Sequence, residues 1–458
     1  MSVPPLAGIV LAAGKGTRMK SDLPKVLHPI AGIPMVEHVC RALREAGVEK
    51  IVVVIGHGAD KVREALGDGY LYAVQDPPQG TGDAVRVALE VLGNWDGPIL
   101  VSSGDTPLQT GDALRRLADR QRDTGAGCAM ATVELADPTG YGRVIFDGGR
   151  VMGVVEQKDA TPEQRLLREV CVSVYAFDGL RLATAIPKLT PNNVQGEYYL
   201  TDVPALVGDA VAERFDDPSL FIGVNDRWQL AEAEAMLRTR ILRKHALNGV
   251  TILDPAATYV GVDVEIDADV KLLPNCILEG KTKIGRECEI GPSTRLTNAT
   301  VLEGAHVQYS VITDSTVGPR CRVGPYANLR MSTVLAEGVK IGNFVEIKNS
   351  QLATKVSVAH LTYIGDASVG ERTNVGAGTI TCNYDGVRKH RTEIGANVFV
   401  GTNSTLVAPV SLGDGSFVAA GSVVTKHVPA DAMAFGRARQ ETREGYAKTW
   451  REKRQETK

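Results

Sequence analysis

The chain has 458 residues, 43% of them hydrophobic and 23% charged, with a formal net charge of −3. That length exceeds one ordinary domain, and the mix is that of a globular protein with two or three. A charge so near zero excludes bulk electrostatic attachment to nucleic acid, and no run of about eighteen apolar residues exists to span a membrane.

The seven cysteines (40, 128, 171, 276, 288, 321 and 382) are scattered and form no CxxC pair. They read as reduced thiols of a cytoplasmic protein, not as a disulfide frame or zinc site. "MSVPPLAGIVLAAG" has no basic leader segment and no long apolar core, so it does not read as a signal peptide.

Along the first 230 residues, "LAGIVLAAG", "KIVVVIGH", "YLYAVQ", "PILVSSGD" and "GCAMATVEL" are apolar runs bounded by turn residues and predict strands. Between several of them lie helical patterns. The clearest starts at Pro34, repeats Met35, Val36, Val39, Leu43 and Ala46, and stops at Gly47. Such alternation predicts a mostly parallel, Rossmann-like sheet covered on both faces, with ligands beyond the carboxyl ends of its strands.

One such end carries "LAAGKGTRMKSDLPK", residues 11 to 25, with two glycines, three lysines and an arginine. It is not a Walker loop, because five residues separate Gly8 from Gly14 and Lys15 is followed by Gly16. Nor is it a dinucleotide fingerprint, since Met19 stands where the third glycine belongs. Glycines and cations at a strand end still suit a polyphosphate.

From Arg227 to His245 the residues are good helix formers, an arm joining two domains. Beyond it the period changes to six. Ile284, Ile290, Leu296 and Leu302 share that step. So do Val317, Val323, Leu329, Leu335, Ile341 and Ile347; Leu352, Val358 and Ile364; and Ile394, Val400, Leu406, Leu412, Val418 and Val424. This is the hexapeptide pattern of a parallel β-helix. "TITCNYDGVRKHRTE", residues 379 to 393, fits no such step and predicts a loop ejected on one face. The expected domains are 1–228, a linker helix at 229–249, and a β-helix at 250–458 ending in a basic tail.

"LAAGKGTRMKSDLPK", "QGTGDA", "GDTPL", "GYGR", "QGEYYLTD" and "GVNDR" resemble sugar nucleotidyltransferases, while "NFVEIKNS", "HLTYIGDA", "GAGTITCNYDG" and "LVAPV" resemble the acetyltransferase half of one family. Together the chain resembles the bifunctional N-acetylglucosamine-1-phosphate uridyltransferase and glucosamine-1-phosphate acetyltransferase family. The resemblance runs from residue 7 to about 440. It implies the substrates UTP, N-acetylglucosamine 1-phosphate, glucosamine 1-phosphate and acetyl-CoA, with Mg²⁺ as cofactor. It also implies a homotrimer packed through left-handed β-helices.

Residue by residue, the resemblance puts Leu11, Ala12, Ala13, Gly14, Lys25, Gln75, Gly80, Thr81, Ser103, Gly104, Asp105, Gly140, Glu156, Cys171 and Asn225 around the uridine nucleotide. Arg18 would stabilise the transferring phosphate, and Asp105 with Asn225 would hold the metal. Two protein oxygens suffice, because Mg²⁺ fills its octahedron with waters and phosphates. In the β-helix His360 would be the general base, a task that suits a group titrating near neutrality. Arg330, Lys348, Tyr363 and Asn374 would surround the amino-sugar phosphate. Ala377, Asn383, Tyr384, Thr402, Ala420 and Arg437 would bind acetyl-CoA.

Two places depart from the family. Cys171-Val172-Ser173 stands where it shows asparagine, a small residue and glycine, and Met331-Ser332 follows Arg330 in place of Pro-Gly. A thiol cannot supply an amide's donors and acceptor. The rival expectation is a nucleotidyltransferase whose β-helix only oligomerises or binds a regulator.

Overall fold

The computed structural model describes residues 4–148 and 150–455. The chain divides into two compact units, one ending at Ile241 and the other starting at Leu242.

The first unit is built on a nine-stranded sheet. Its strands are β1 Leu6–Leu11, β2 Val48–Ile55, β3 Leu71–Val74, β4 Pro98–Ser103, β5 Cys128–Glu134, β6 Gly142–Asp147, β7 Arg150–Val155, β8 Glu169–Asp178 and β9 Ala210–Phe215. Their order is β9-β5-β8-β4-β1-β2-β3, and the β6–β7 hairpin hangs on β8. Neighbours run parallel except where β8 enters antiparallel to β4 and β5. The five predicted strands are β1 to β5; the four later ones are less uniformly apolar and were not legible as runs.

Alternation along the strands gives the sheet a core on each face. Val10, Val53 and Leu100 join one apolar cluster with Val36, Val39 and Leu43 of helix α1 (Met35–Glu45). Ile9, Val52 and Val54 join the other with Ala84, Val85 and Ala88 of helix α2 (Thr81–Leu92). Burial on both sides explains why β1 and β2 read as continuous apolar runs. The carboxyl ends of β1, β3 and β4 therefore form one open rim. The helix predicted over 227–245 runs from Arg227 to Leu247, and the division between units falls inside it.

The second unit is a β-helix of three parallel sheets with eleven, ten and nine strands, each strand pairing with the one a full turn later. The aliphatic residue of each hexad points inward, as Ile341, Ile347 and Leu352 show by their near-complete burial. Two parts of the expected register are corrected. Leu302 is 40% exposed and Val301 is the inward residue, because the side after Leu296 has five residues, not six. The six-residue step also begins earlier, with Val260, Ile266, Leu272 and Leu278 in line with Ile284.

The ejected loop is shorter than the 379–393 expected. Ile380–Cys382 and Thr392–Ile394 are coil strands, which leaves 383–391 outside the stack. Thr381 fills the inward position and is 1% exposed, with its hydroxyl accepting from the Gly365 amide at 2.7 Å. A threonine in an aliphatic slot hid the step.

Candidate functional site

At the rim of the first unit lies a cavity of about 350 Å³. Leu11, Ala12, Ala13 and Gly14 line it from the end of β1, Gln75, Gly80 and Thr81 from the segment after β3, and Ser103 and Asp105 from the end of β4. The loop can close on its own cations because Gly16 has φ +58 and a Cβ there would stand 2.4 Å from that of Lys25. Gly80, at φ +114, lies so close to the Tyr198 carbonyl that a side chain would collide with it.

Residues far apart in sequence meet at this rim. The Lys25 ammonium contacts Asp105 Oδ2 directly and donates to Asn225 Oδ1 at 3.2 Å. Arg18 Nη2 donates to the same Asn225 oxygen at 2.8 Å. Ser103 Oγ donates to Asp105 Oδ1 at 2.6 Å and fixes the carboxylate. A carboxylate and a carboxamide oxygen thus already converge on one cation. Both are hard donors of the kind a divalent oxygen-seeking ion takes. Among the described residues no cluster of three or more His, Cys, Asp or Glu could hold a metal ion.

Glu156 lines the cavity wall; burial pushes its carboxyl up, and a hydrogen bond from Thr201 Oγ1 at 3.0 Å works against that rise. Cys171 does not line the cavity. Its side chain is 3% exposed within the core, its thiol donates to Tyr175 Oη at 3.2 Å, and burial pushes that thiol up to about 11. The wall is formed instead by Ser173 and Tyr175. The cause is local: β8 slips register between Cys171 and Tyr175, and Ser173 takes φ +57. Gly104 and Gly140 also lie off the wall. The Gly104 amide donates to the Leu11 carbonyl at 2.9 Å, and Gly140 sits in a turn at φ +91.

On the β-helix, register explains which residues share an edge. Ile341, Val358, Val375, Val400 and Val418 stack inward in one sheet. Two residues after each come Asn343, His360, Ala377, Thr402 and Ala420, so the expected base and three expected acetyl-CoA positions form one column. Arg437 stands beside its end, with its stem 3.8 Å from where a Gly421 Cβ would be. His360 is exposed, and its Nδ1 lies 2.6 Å from Asn343 Oδ1. With that oxygen as acceptor, Nδ1 is the ring nitrogen that donates, and Nε2 is the one left to meet a ligand.

In the next sheet Arg330, Lys348 and Gly365 are register partners. Asp366 accepts from Lys348 at 3.1 Å, from Asn349 at 2.6 Å, and from Asn383. Asn383 Nδ2 also reaches Tyr363 Oη at 3.4 Å. Arg330 is paired with Glu346 at 2.6 Å. Asn374 belongs to the other sheet, in register with Ser357 and Phe399, and Tyr384 points its hydroxyl to the Gly386 carbonyl.

Sequence reasoning missed Lys389, which the 383–391 loop sets against Lys348. The contact with Lys348 lowers the Lys389 value, since two ammonium groups side by side disfavour each other's charge. An anion placed here would relieve that repulsion. The loop is braced by Asp385, which accepts from the Val387 and Arg388 amides at 2.7 and 2.6 Å and from His390 at 2.7 Å; the Arg388 amide first, then His390, holds its carboxyl well below the usual range.

Residues 8–169 match the MobA-like NTP transferase domain family. Residues 260–343 match the GMPPB C-terminal domain, and 391–426 the hexapeptide repeat of succinyl-transferase. The chain is 45% identical over 451 residues to the bifunctional protein GlmU of Geobacillus thermodenitrificans, covering 97% of this chain and 98% of that one. It is 47% identical over 443 residues to the bifunctional protein GlmU of Heliobacterium modesticaldum, covering 96% and 97%. With that of Staphylococcus haemolyticus the identity is 45% over 445 residues, covering 96% and 99%. The order of the matched domains along the chain is that of the two units.

Proposed function

Since the chain belongs to the family of bifunctional GlmU proteins, we propose that its β-helix acetylates glucosamine 1-phosphate with acetyl-CoA and its first unit then joins the product to the uridylyl group of UTP. The observation that carries this reading is that each unit gathers its own reactive set: Arg18, Lys25, Asp105 and Asn225 in one, the His360 column beside Arg330, Lys348 and Lys389 in the other.

In the first unit a phosphate oxygen of the sugar attacks the α-phosphorus of UTP, and pyrophosphate leaves. That reaction is served by positioning and charge compensation. The uracil lies by Gln75 and Gly80, the sugar by Glu156 and Ser173, and the triphosphate over residues 11 to 14. Arg18 and Lys25 supply positive charge along the phosphates. Asp105 and Asn225 would hold Mg²⁺, which when bound neutralises phosphate charge.

In the β-helix the amine of glucosamine 1-phosphate attacks the thioester carbonyl, a C–N bond forms, and the C–S bond to CoA breaks. His360 Nε2 takes the proton the nitrogen must lose, while Asn343 holds Nδ1–H and the ring's orientation. Lys348, Lys389 and Arg330 receive the sugar phosphate, and Ala377, Asn383, Tyr384, Thr402, Ala420 and Arg437 the CoA. The enzyme works in the cytosol as a homotrimer joined through the β-helices, with the acetyl-CoA sites between subunits.

Two assays on one preparation test the reading. Acetyl-CoA with glucosamine 1-phosphate should release free thiol, and UTP with N-acetylglucosamine 1-phosphate should release pyrophosphate. Thiol release absent alongside normal pyrophosphate release would reduce the β-helix to a scaffold.

A further inference from the structure

Gln75 follows β3, is 4% exposed, and lines the nucleotidyltransferase cavity. Its Nε2 donates to the Gly80 carbonyl at 2.9 Å and to Asp83 Oδ2 at 2.8 Å. An amide nitrogen has two hydrogens, so both are used. Neither partner can donate in return. A backbone carbonyl only accepts, and the Asp83 carboxylate is gripped through its other oxygen by Arg86, from Nε at 3.0 Å and Nη2 at 2.7 Å. The orientation of a glutamine amide follows from its hydrogen-bond network. Two acceptors on one side leave a single solution: nitrogen toward them and Oε1 toward the cavity. Asp83 itself is buried on the first turn of α2 and does not line the cavity, so it acts through Gln75.

We propose that Asp83 is a positioning residue that sets nucleobase specificity by holding Gln75 with its acceptor toward the ligand. This rests on the reading of the cavity as the UTP site and adds what excludes other bases. Uracil carries N3–H between two carbonyls, and that hydrogen meets Gln75 Oε1. Cytosine has a lone pair at the same atom, which would face the lone pairs of Oε1. The two rings have the same size, so the orientation of one amide, not cavity shape, separates them. An unpaired buried polar atom is worth about five- to 150-fold.

The experiment is Asp83→Asn in the full chain, with UTP and CTP competing in one mixture for N-acetylglucosamine 1-phosphate. Arg86 still requires an acceptor at Oδ1, so the new Nδ2 falls opposite Gln75 and donates to it. The new Nδ2 favours Oε1 on that side while the Gly80 carbonyl still favours Nε2, so the amide is divided between two orientations, and the one that offers Nε2 to the cavity suits cytosine. The ratio of uridine to cytidine product should fall at least about fivefold, with kcat/KM rising for CTP and falling for UTP. The ratio is independent of how much enzyme is folded. Where Asp83→Asn yields no active enzyme, Asp83→Ser, whose hydroxyl can donate, is measured in the same way. A ratio within fivefold of the parent's overturns the proposal. A parent with no preference for UTP over CTP would instead remove the nucleotide assignment, a separate failure.

Discussion

Lys25, Asp105 and Asn225 meet at the rim of the first unit although 80 and 200 residues separate Lys25 from its two partners. On the β-helix, Asn343 and His360 are neighbours because one coil lies between them. The first set depends on topology: parallel strands deliver their carboxyl ends to one rim, and whatever follows them is gathered there. The second depends on period, since any residue at a fixed offset from the inward aliphatic joins the same column. A topological site can draw on any loop, whereas a periodic site is confined to an edge and gains variety only where the period is broken. The 383–391 loop is such a break, and it brings in Asn383 and Lys389.

If the two sets act independently, each should fail alone. Asp105→Ala removes the carboxylate on which Lys25 and Ser103 converge, and uridylyl transfer should fall at least about 10³-fold while acetyl transfer is kept. Equal loss of both activities in a folded protein would break the comparison. His360→Ala should lower acetyl transfer by about 10²–10⁴-fold, the share of a general base, and leave pyrophosphate release unchanged. A pH–rate profile for acetyl transfer identical to the parent's would remove His360 from the chemistry.

The loop's contribution is smaller and more specific. Lys389→Ala leaves the coils intact and removes one cation beside Lys348, so KM for glucosamine 1-phosphate should rise about tenfold with kcat little changed. An unchanged KM would mean that the loop supports CoA alone.

Legibility followed the same division. The five uniformly apolar strands, helix α1 and most of the hexad register could be read because each is a strong periodic signal. Leu302 was misplaced because a five-residue side keeps a leucine one position late. The coil before Ile284 is legible in the same six-residue step, through Val260, Ile266, Leu272 and Leu278. In the first unit Cys171 was expected at the sugar, and a slip in β8 turns it inward and brings Ser173 to the wall; no pattern of residue types announces a register shift. Asp83 was invisible for another reason, since its role passes through the amide of a neighbour. The column through His360 could have been found from the sequence, because counting two residues past Ile341, Val358, Val375, Val400 and Val418 yields it directly.

The smallest expected effect concerns the turn after Arg330. Among the described residues, non-glycine residues with positive φ in the first unit are Lys20, Ala31 and Ser173, and all others belong to the β-helix, where coil corners demand that conformation. Met331 and Ser332 are consecutive instances, at φ 55 and 61. A left-handed conformation costs an ordinary residue about 1–2 kcal/mol. Ser332 is exposed, and its amide donates to the Asp314 carbonyl at 2.8 Å, a bond that glycine keeps. Glycine relieves the strain but loosens the unfolded chain by about 0.4–1 kcal/mol. Ser332→Gly should therefore stabilise the protein by about 0.5 kcal/mol and raise Tm by about 1–2 °C. Arg330 is anchored by Glu346 through Nε at 2.8 Å and Nη2 at 2.6 Å, which holds the guanidinium whatever the following turn does. KM for glucosamine 1-phosphate should accordingly stay within about twofold of the parent's. A rise in Tm accompanied by a weaker KM would show the opposite: that the strained turn, and not the Glu346 pair, places Arg330 for its substrate.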